Sequence, residues 1–201
     1  GFLQTMAARN SAALKPGGIT FACMAWRHIC ELEAAGEGEI GELKNICVWN
    51  KEVGGMGSLY RSKHELVAMF AKRGGRHTNN VQLGRFGRNR TNVWDYPGVA
   101  GRRDELAMHP TVKPTALVAD AIKDVTPLEG LVLDPFGGSG STLLAAEGCG
   151  RPARLIELDP RYCDLIIRRF EAATGEEVRL EQTGERCSFV SEIRLEWEGL
   201  E

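Results

Sequence analysis

The run Asp134-Pro135-Phe136-Gly137-Gly138-Ser139-Gly140-Ser141-Thr142 places an acid, three glycines and three hydroxyls directly after the apolar triplet Leu131-Val132-Leu133. Glycines allow a sharp turn and let the backbone approach a ligand that a Cβ would obstruct. A loop of this kind, closing a strand and opening a helix, lies where open α/β sheets bind nucleoside ligands. A P-loop is excluded, because no Gly-Lys-Ser/Thr closes the run. A dinucleotide fingerprint starting at Gly138 needs a third small residue at position 143, which is Leu143.

One predicted strand later, Arg154-Leu155-Ile156-Glu157-Leu158-Asp159-Pro160 ends in two acids. Asp159 precedes a proline and suits a helix N-cap with Pro160 at the first helical position. Glu157 is then the acid available to accept hydrogen bonds from ribose hydroxyls. A glycine loop after one strand and an acid after the next make a nucleoside pocket. It fits S-adenosylmethionine, which has no pyrophosphate to cradle. Upstream, His109-Pro110-Thr111-Val112-Lys113-Pro114 offers a hydroxyl and an ammonium that can hold a carboxylate at a helix start. His109 is read as part of a proline-held turn, not as a general base. The candidate cofactor residues are therefore Asp134, Gly138 and Glu157, followed by Thr111, Lys113, Phe136 and Ser139.

A second constellation is electrostatic. From Tyr60 to Arg103 there are ten Lys and Arg against Glu65 and Asp95, a local charge of +8. The whole chain carries −2, so the remainder carries −10. The stretch is Arg-rich, punctuated by glycine and interleaved with aromatics, which suits phosphate contact and base stacking. Arg85, Arg88 and Arg90 are candidate phosphate contacts, and Asn89 and Asn92 candidate base readers. Trp94 is read as core.

These residues need elements to hold them. The pattern predicts a helix over 2–14, a strand over 19–24, a helix around 27–35 and a Gly/Glu loop to about 42. Short strands follow at 46–49 and 66–70. Residues 72–104 lack hydrophobic periodicity and read as a surface recognition segment outside the core. Pro114 then opens a helix whose Leu117, Val118, Ala121, Ile122 and Val125 share one face. A strand over 131–133, a helix over 141–147, a strand over 153–158 and a helix carrying Tyr162, Ile166, Ile167 and Phe170 complete the order. The last 25 residues suggest edge strands. Strands alternating with helices predict an α/β fold with a largely parallel sheet in one domain. Within it, 72–104 is an insertion and 105–201 the cofactor-binding half.

Composition excludes other classes. The chain has 201 residues, 43% hydrophobic and 26% charged, which is globular and not disordered. No apolar run approaches the ~18 residues that span a bilayer, and no secretory signal is visible. Six cysteines without a CxxC pair predict free thiols, no metal site and a reducing, cytoplasmic compartment.

In order, His109-Pro110-Thr111-Val112-Lys113-Pro114, the Asp134–Thr142 loop and Glu157-Leu158-Asp159-Pro160-Arg161-Tyr162 resemble the amino-group-specific DNA methyltransferases of the permuted beta class. Leu14-Lys15-Pro16-Gly17-Gly18, Val48-Trp49-Asn50-Lys51 and Tyr60-Arg61-Ser62-Lys63-His64-Glu65 also look like segments of that family. The basic stretch to Trp94-Asp95-Tyr96-Pro97 falls where the family keeps its target-recognition region. The resemblance implies a Rossmann-like, permuted fold and methylation of adenine N6 or cytosine N4 in double-stranded DNA, with S-adenosylmethionine as donor. The base must leave the stack to react.

The family's catalytic Asp/Asn/Ser-Pro-Pro-Tyr/Phe motif should precede the Lys15–Gly18 turn, and residues 1–14 contain no such tetrapeptide. No catalytic residue is therefore assigned. The expectation is a fragment lacking that motif and one central strand, between the strand ending at Asp134 and the one starting at Ile19. Exposed strand edges of that kind invite pairing with another chain, including a homodimer. Two other readings stand beside it. One is a catalytically silent methyltransferase-like module that binds DNA or a partner. The other is an RNA or small-molecule methyltransferase on the same fold.

Overall fold

The computed structural model describes residues 1–55, 57, 59–98 and 112–186. Helix α1 (Phe2–Ala13) leads into strand β1 (Ile19–Met24), a 3₁₀ turn at Trp26–His28 and helix α2 (Ile29–Glu39). Strands β2 (Gly41–Asn50), β3 (His64–Lys72) and β4 (Val93–Asp95) follow, then helix α3 (Thr115–Val125). The chain continues through β5 (Val132–Asp134), α4 (Ser141–Gly148), β6 (Ala153–Leu155) and α5 (Pro160–Thr174).

The strands form two sheets. One has the order β1-β3-β2-β4, with β3 antiparallel to both neighbours and β4 parallel to β2. The other is the parallel pair β5-β6. Among the described residues no ladder joins β1 to β5.

Alternation along β3 sorts the core. Ala68 and Phe70 face α1 and α2, packing with Ala7, Leu32, Ala35 and Ile40. Gly36 is what lets α2 settle there, since a Cβ would lie 2.3 Å from the Phe70 ring. Val67 points the other way, into a cluster with Cys47, Trp49, Trp94, Leu117 and Ala121 of α3. A register shift between Leu43 and Asn45 lets β2 serve both faces, with Leu43 on the first cluster and Cys47 and Trp49 on the second. Helix α3 then joins the two sheets, because Ile122 packs with Ala145 and Ala146 of α4.

Several expectations need correction. The predicted loop to residue 42 is the end of α2 followed at once by β2, a ten-residue strand whose Glu42, Lys44 and Asn45 hide its pattern. The segment 72–104 is not wholly outside the core. Within it, β4 pairs with β2 and buries Trp94, as expected of that residue alone. The strand predicted over 153–158 ends at Leu155. Of the expected C-terminal strands, the described part holds one antiparallel bridge, Arg179 to Arg186. No described helix is long and apolar enough to cross a membrane.

Candidate functional site

The glycine loop between β5 and α4 is stitched at both ends by Asp134. Its Oδ1 accepts from the Phe136 N–H at 3.0 Å and its Oδ2 from the Thr142 hydroxyl at 2.5 Å. Gly138 (φ +51°) and Gly140 (φ +79°) take the left-handed conformation that L side chains resist. The loop also packs tightly on α5, where a Cβ on Gly140 would lie 3.0 Å from Ile166. Ser139 is buried, its hydroxyl 3.2 Å from that of Ser141, and its carbonyl accepts from Arg169.

Glu157 follows β6 and faces this loop. Its Oε2 accepts from the Gly138 N–H at 2.6 Å, while Oε1 accepts from the N–H groups of Leu158 and Asp159 at 2.8 and 3.0 Å. Asp159 is the N-cap of α5, accepting from Arg161 N–H at 2.9 Å, with Pro160 next. Around Glu157, Phe136, Ile156 and Leu158 present exposed apolar surface, and Phe136 lies 6.3 Å from the Phe2 ring. A fixed carboxylate beside bare apolar side chains and a glycine backbone fits a ribose and a flat base.

Lys113 reaches across from the segment before α3. Its carbonyl accepts from the Ser141 hydroxyl at 2.8 Å, and its ammonium lies 3.6 Å from Glu65 Oε1 at the start of β3. Glu65 Oε2 is 3.3 Å from Lys51, whose ammonium sits 4.5 Å from the Trp49 ring centroid. Burial alone would lower the Lys113 pKa, but Cys23, Glu65 and Asp134 outweigh it and the ammonium is held above its ordinary value. The Cys23 thiol is pushed up to about 11 by burial, against the pull of Lys113. The same neighbours link the end of β1 to the end of β5. Glu65 was missed as a site residue, although an acid opening an apolar strand in a basic stretch was a visible signal. Thr111 and His109 lie outside the described residues.

The basic stretch divides. Tight turns over 82–88 expose Arg85 and Arg88, with Gln82 and Phe86 at positive φ. Arg88 lies 5.4 Å from the Phe86 ring centroid and donates to the Asn80 carbonyl at 2.9 Å, and Asn89 is exposed beside it. Arg90 instead turns inward. It lies 5.1 Å from the Trp94 ring centroid, its Nε 2.5 Å from Asp124 and its Nη1 3.9 Å from Asp120. Asn92 donates to Asn45 and to the Ile46 carbonyl, tying β4 to β2. Arg90 and Asn92 thus both have internal partners. Arg102 and Arg103 lie outside the described residues.

A family model described as DNA methylase matches residues 1–168. The chain belongs to this DNA methylase family. Type II methyltransferase M.ScaI of Streptomyces caespitosus is 40% identical over 90 residues, covering 43% of this chain and 30% of the relative. DNA adenine methyltransferase YhdJ of Escherichia coli (strain K12) is 40% identical over 83 residues, covering 41% and 28%. This methylase-family chain spans less than a third of the length of those two curated relatives in the matched regions. The crystal structure of the M1.HpyAVI–SAM complex aligns with a TM-score of 0.71 at 24% identity, covering 83% of this chain and 81% of that one. The methylase chain therefore has the Rossmann-like α/β fold that its motifs implied, with the four-stranded sheet ahead of the glycine loop in sequence.

Proposed function

We propose that this protein is the cofactor-binding and recognition part of a DNA amino-methyltransferase acting on adenine N6 or cytosine N4. The observation that carries the reading is the Glu157–Gly138 hydrogen bond at 2.6 Å, which ties the residue after β6 to the glycine loop after β5. S-adenosylmethionine, when bound, supplies an electrophilic methyl group. Glu157 would hold the ribose, Phe136 and Leu158 would flank the base, and Lys113 would meet the amino-acid carboxylate, with Asp134, Gly138 and Ser139 shaping the loop.

Double-stranded DNA is the proposed partner, with Arg85, Arg88 and Asn89 meeting it first. Positioning a flipped base for in-line attack is the protein's main task in such a reaction. Self-association through the edges of β1 and β5 that are unpaired among the described residues, and residence in a reducing cytoplasm, belong to the same reading. Sedimentation at several concentrations tests the first of these.

Isothermal calorimetry with S-adenosylmethionine is the experiment for the main proposal. Binding supports it. A chain that is folded by circular dichroism yet ignores the cofactor would instead favour a silent DNA- or partner-binding module.

A further inference from the structure

We propose that Glu65 is a positioning residue: it holds the Lys113 side chain across the gap between the two sheets, aimed at the carboxylate of S-adenosylmethionine. The inference rests on the cofactor reading above and adds to it a residue from the opposite sheet.

Lys113 is anchored twice, and the two anchors belong to different parts of the fold. Its main chain is fixed to the glycine-loop side through the Ser141 hydroxyl, at 2.8 Å. Its ammonium points to Glu65 on β3, in the four-stranded sheet. At 3.6 Å that pair is longer than a charge-assisted hydrogen bond, which runs about 2.7–2.9 Å. The three N–H donors of an ammonium are thus not consumed by Glu65. Glu65 is also shared, since Lys51 lies 3.3 Å from its other oxygen.

One carboxylate, Glu65, lies between the two ammonium groups of Lys51 and Lys113, and Asp134 adds a second negative charge near Lys113. Lys51 sits against the Trp49 ring, so Lys113 is the member placed to meet an incoming anion. Lys113 and Glu65 are each only about a quarter exposed, 28% and 23% by side chain, so the attraction is less screened than on an open surface. A half-buried pair at this length adds little to stability. Its value lies in orientation, because an unheld lysine would lose several rotatable bonds of freedom on meeting the cofactor.

The test compares two ligands that differ by the amino-acid end, S-adenosylhomocysteine and 5′-methylthioadenosine. Calorimetry is run on the unaltered protein, Glu65→Gln, Glu65→Asp, Lys113→Met and the Glu65→Gln/Lys113→Met double variant. Glu65→Gln is expected to weaken S-adenosylhomocysteine about five- to tenfold while 5′-methylthioadenosine stays within about twofold, with Glu65→Asp recovering part of the loss. The double variant is expected to match Lys113→Met. Equal losses for both ligands in Glu65→Gln would make Glu65 merely structural and overturn the proposal. So would a Glu65→Gln variant that behaves as wild type while Lys113→Met discriminates. Should Lys113→Met fail to discriminate, the assignment of Lys113 itself falls and this inference with it.

Discussion

The carboxylate of Glu157 accepts the backbone N–H of Gly138 at 2.6 Å, so the residue after β6 directly braces the loop after β5. Two neighbouring strands are thereby tied at the end where the candidate ligand lies. Glu157→Ala removes both the brace and the proposed ribose acceptor. Hydrogen bonds to a charged group are worth about 1.5–3 kcal/mol, so S-adenosylmethionine affinity is expected to fall roughly ten- to a hundredfold. Unchanged affinity by calorimetry would remove Glu157 from the site.

Two glycines near α4 make a paired prediction about the loop. Gly140 has φ +79° and a Cβ there would meet Ile166 at 3.0 Å. Gly140→Ala should cost about 1–3 kcal/mol and lower Tm by roughly 3–8 °C. Gly148 ends α4 where a Cβ would face open space. Gly148→Ala should leave Tm unchanged or raise it slightly, through reduced freedom of the unfolded chain. Thermal melts of both variants decide the matter, and a neutral Gly140→Ala would contradict the tight loop geometry.

The arginines separate by what their guanidinium groups touch. Arg85 and Arg88 project from exposed turns, whereas Arg90 is engaged by Asp124 and Trp94. Arg85→Ala and Arg88→Ala should each reduce the dependence of duplex DNA binding on salt by a slope of about 1, with stability within about 0.5 kcal/mol. Arg90→Ala should cost about 1–2 kcal/mol of stability, because it strips the ring contact and leaves half-buried Asp124 without its cation. Binding titrations at several salt concentrations, beside denaturant melts, would expose a wrong division.

What was legible in the chain was mostly local. The glycine loop, the Asp159-Pro160 cap and the buried face of α3 all depend on residues a few positions apart, where spacing reports directly on geometry. Contacts made across the fold were not legible. Glu65 and Lys113 meet only because β3 and the α3 approach end at the same edge, and no local pattern encodes that. Strand β4 escaped for another reason: three residues in a Gly-, Arg- and Asn-rich stretch carry no measurable alternation, and parallel pairing with β2 makes the strand. Arg88 and Arg90 are chemically alike, and the aspartates of α3 together with the Trp94 ring distinguish Arg90.

The buried thiols predict an alkaline limit to stability. Cys47 lies within the second cluster, and burial pushes its pKa from 9.0 to about 11, with Arg90 opposing the rise and Asp124 adding to it. Between those values the folded protein keeps the proton that the unfolded chain releases, so this contribution is complete below pH 9 and is lost as pH climbs through 11. From about pH 9 to pH 10.5 the loss attributable to Cys47 should be about 1.5 kcal/mol. Cys23 shifts in the same direction, again through burial first, with Lys113 opposing. Denaturant melts of the protein and of Cys47→Ala across this range isolate the thiol. The variant starts less stable from its lost packing but should decline less steeply with pH. Parallel slopes would mean that Cys47 ionises as freely in the folded protein as in the unfolded chain. Alkylation followed by peptide mass mapping gives a second readout, in which exposed Cys30 is expected to label well before buried Cys47.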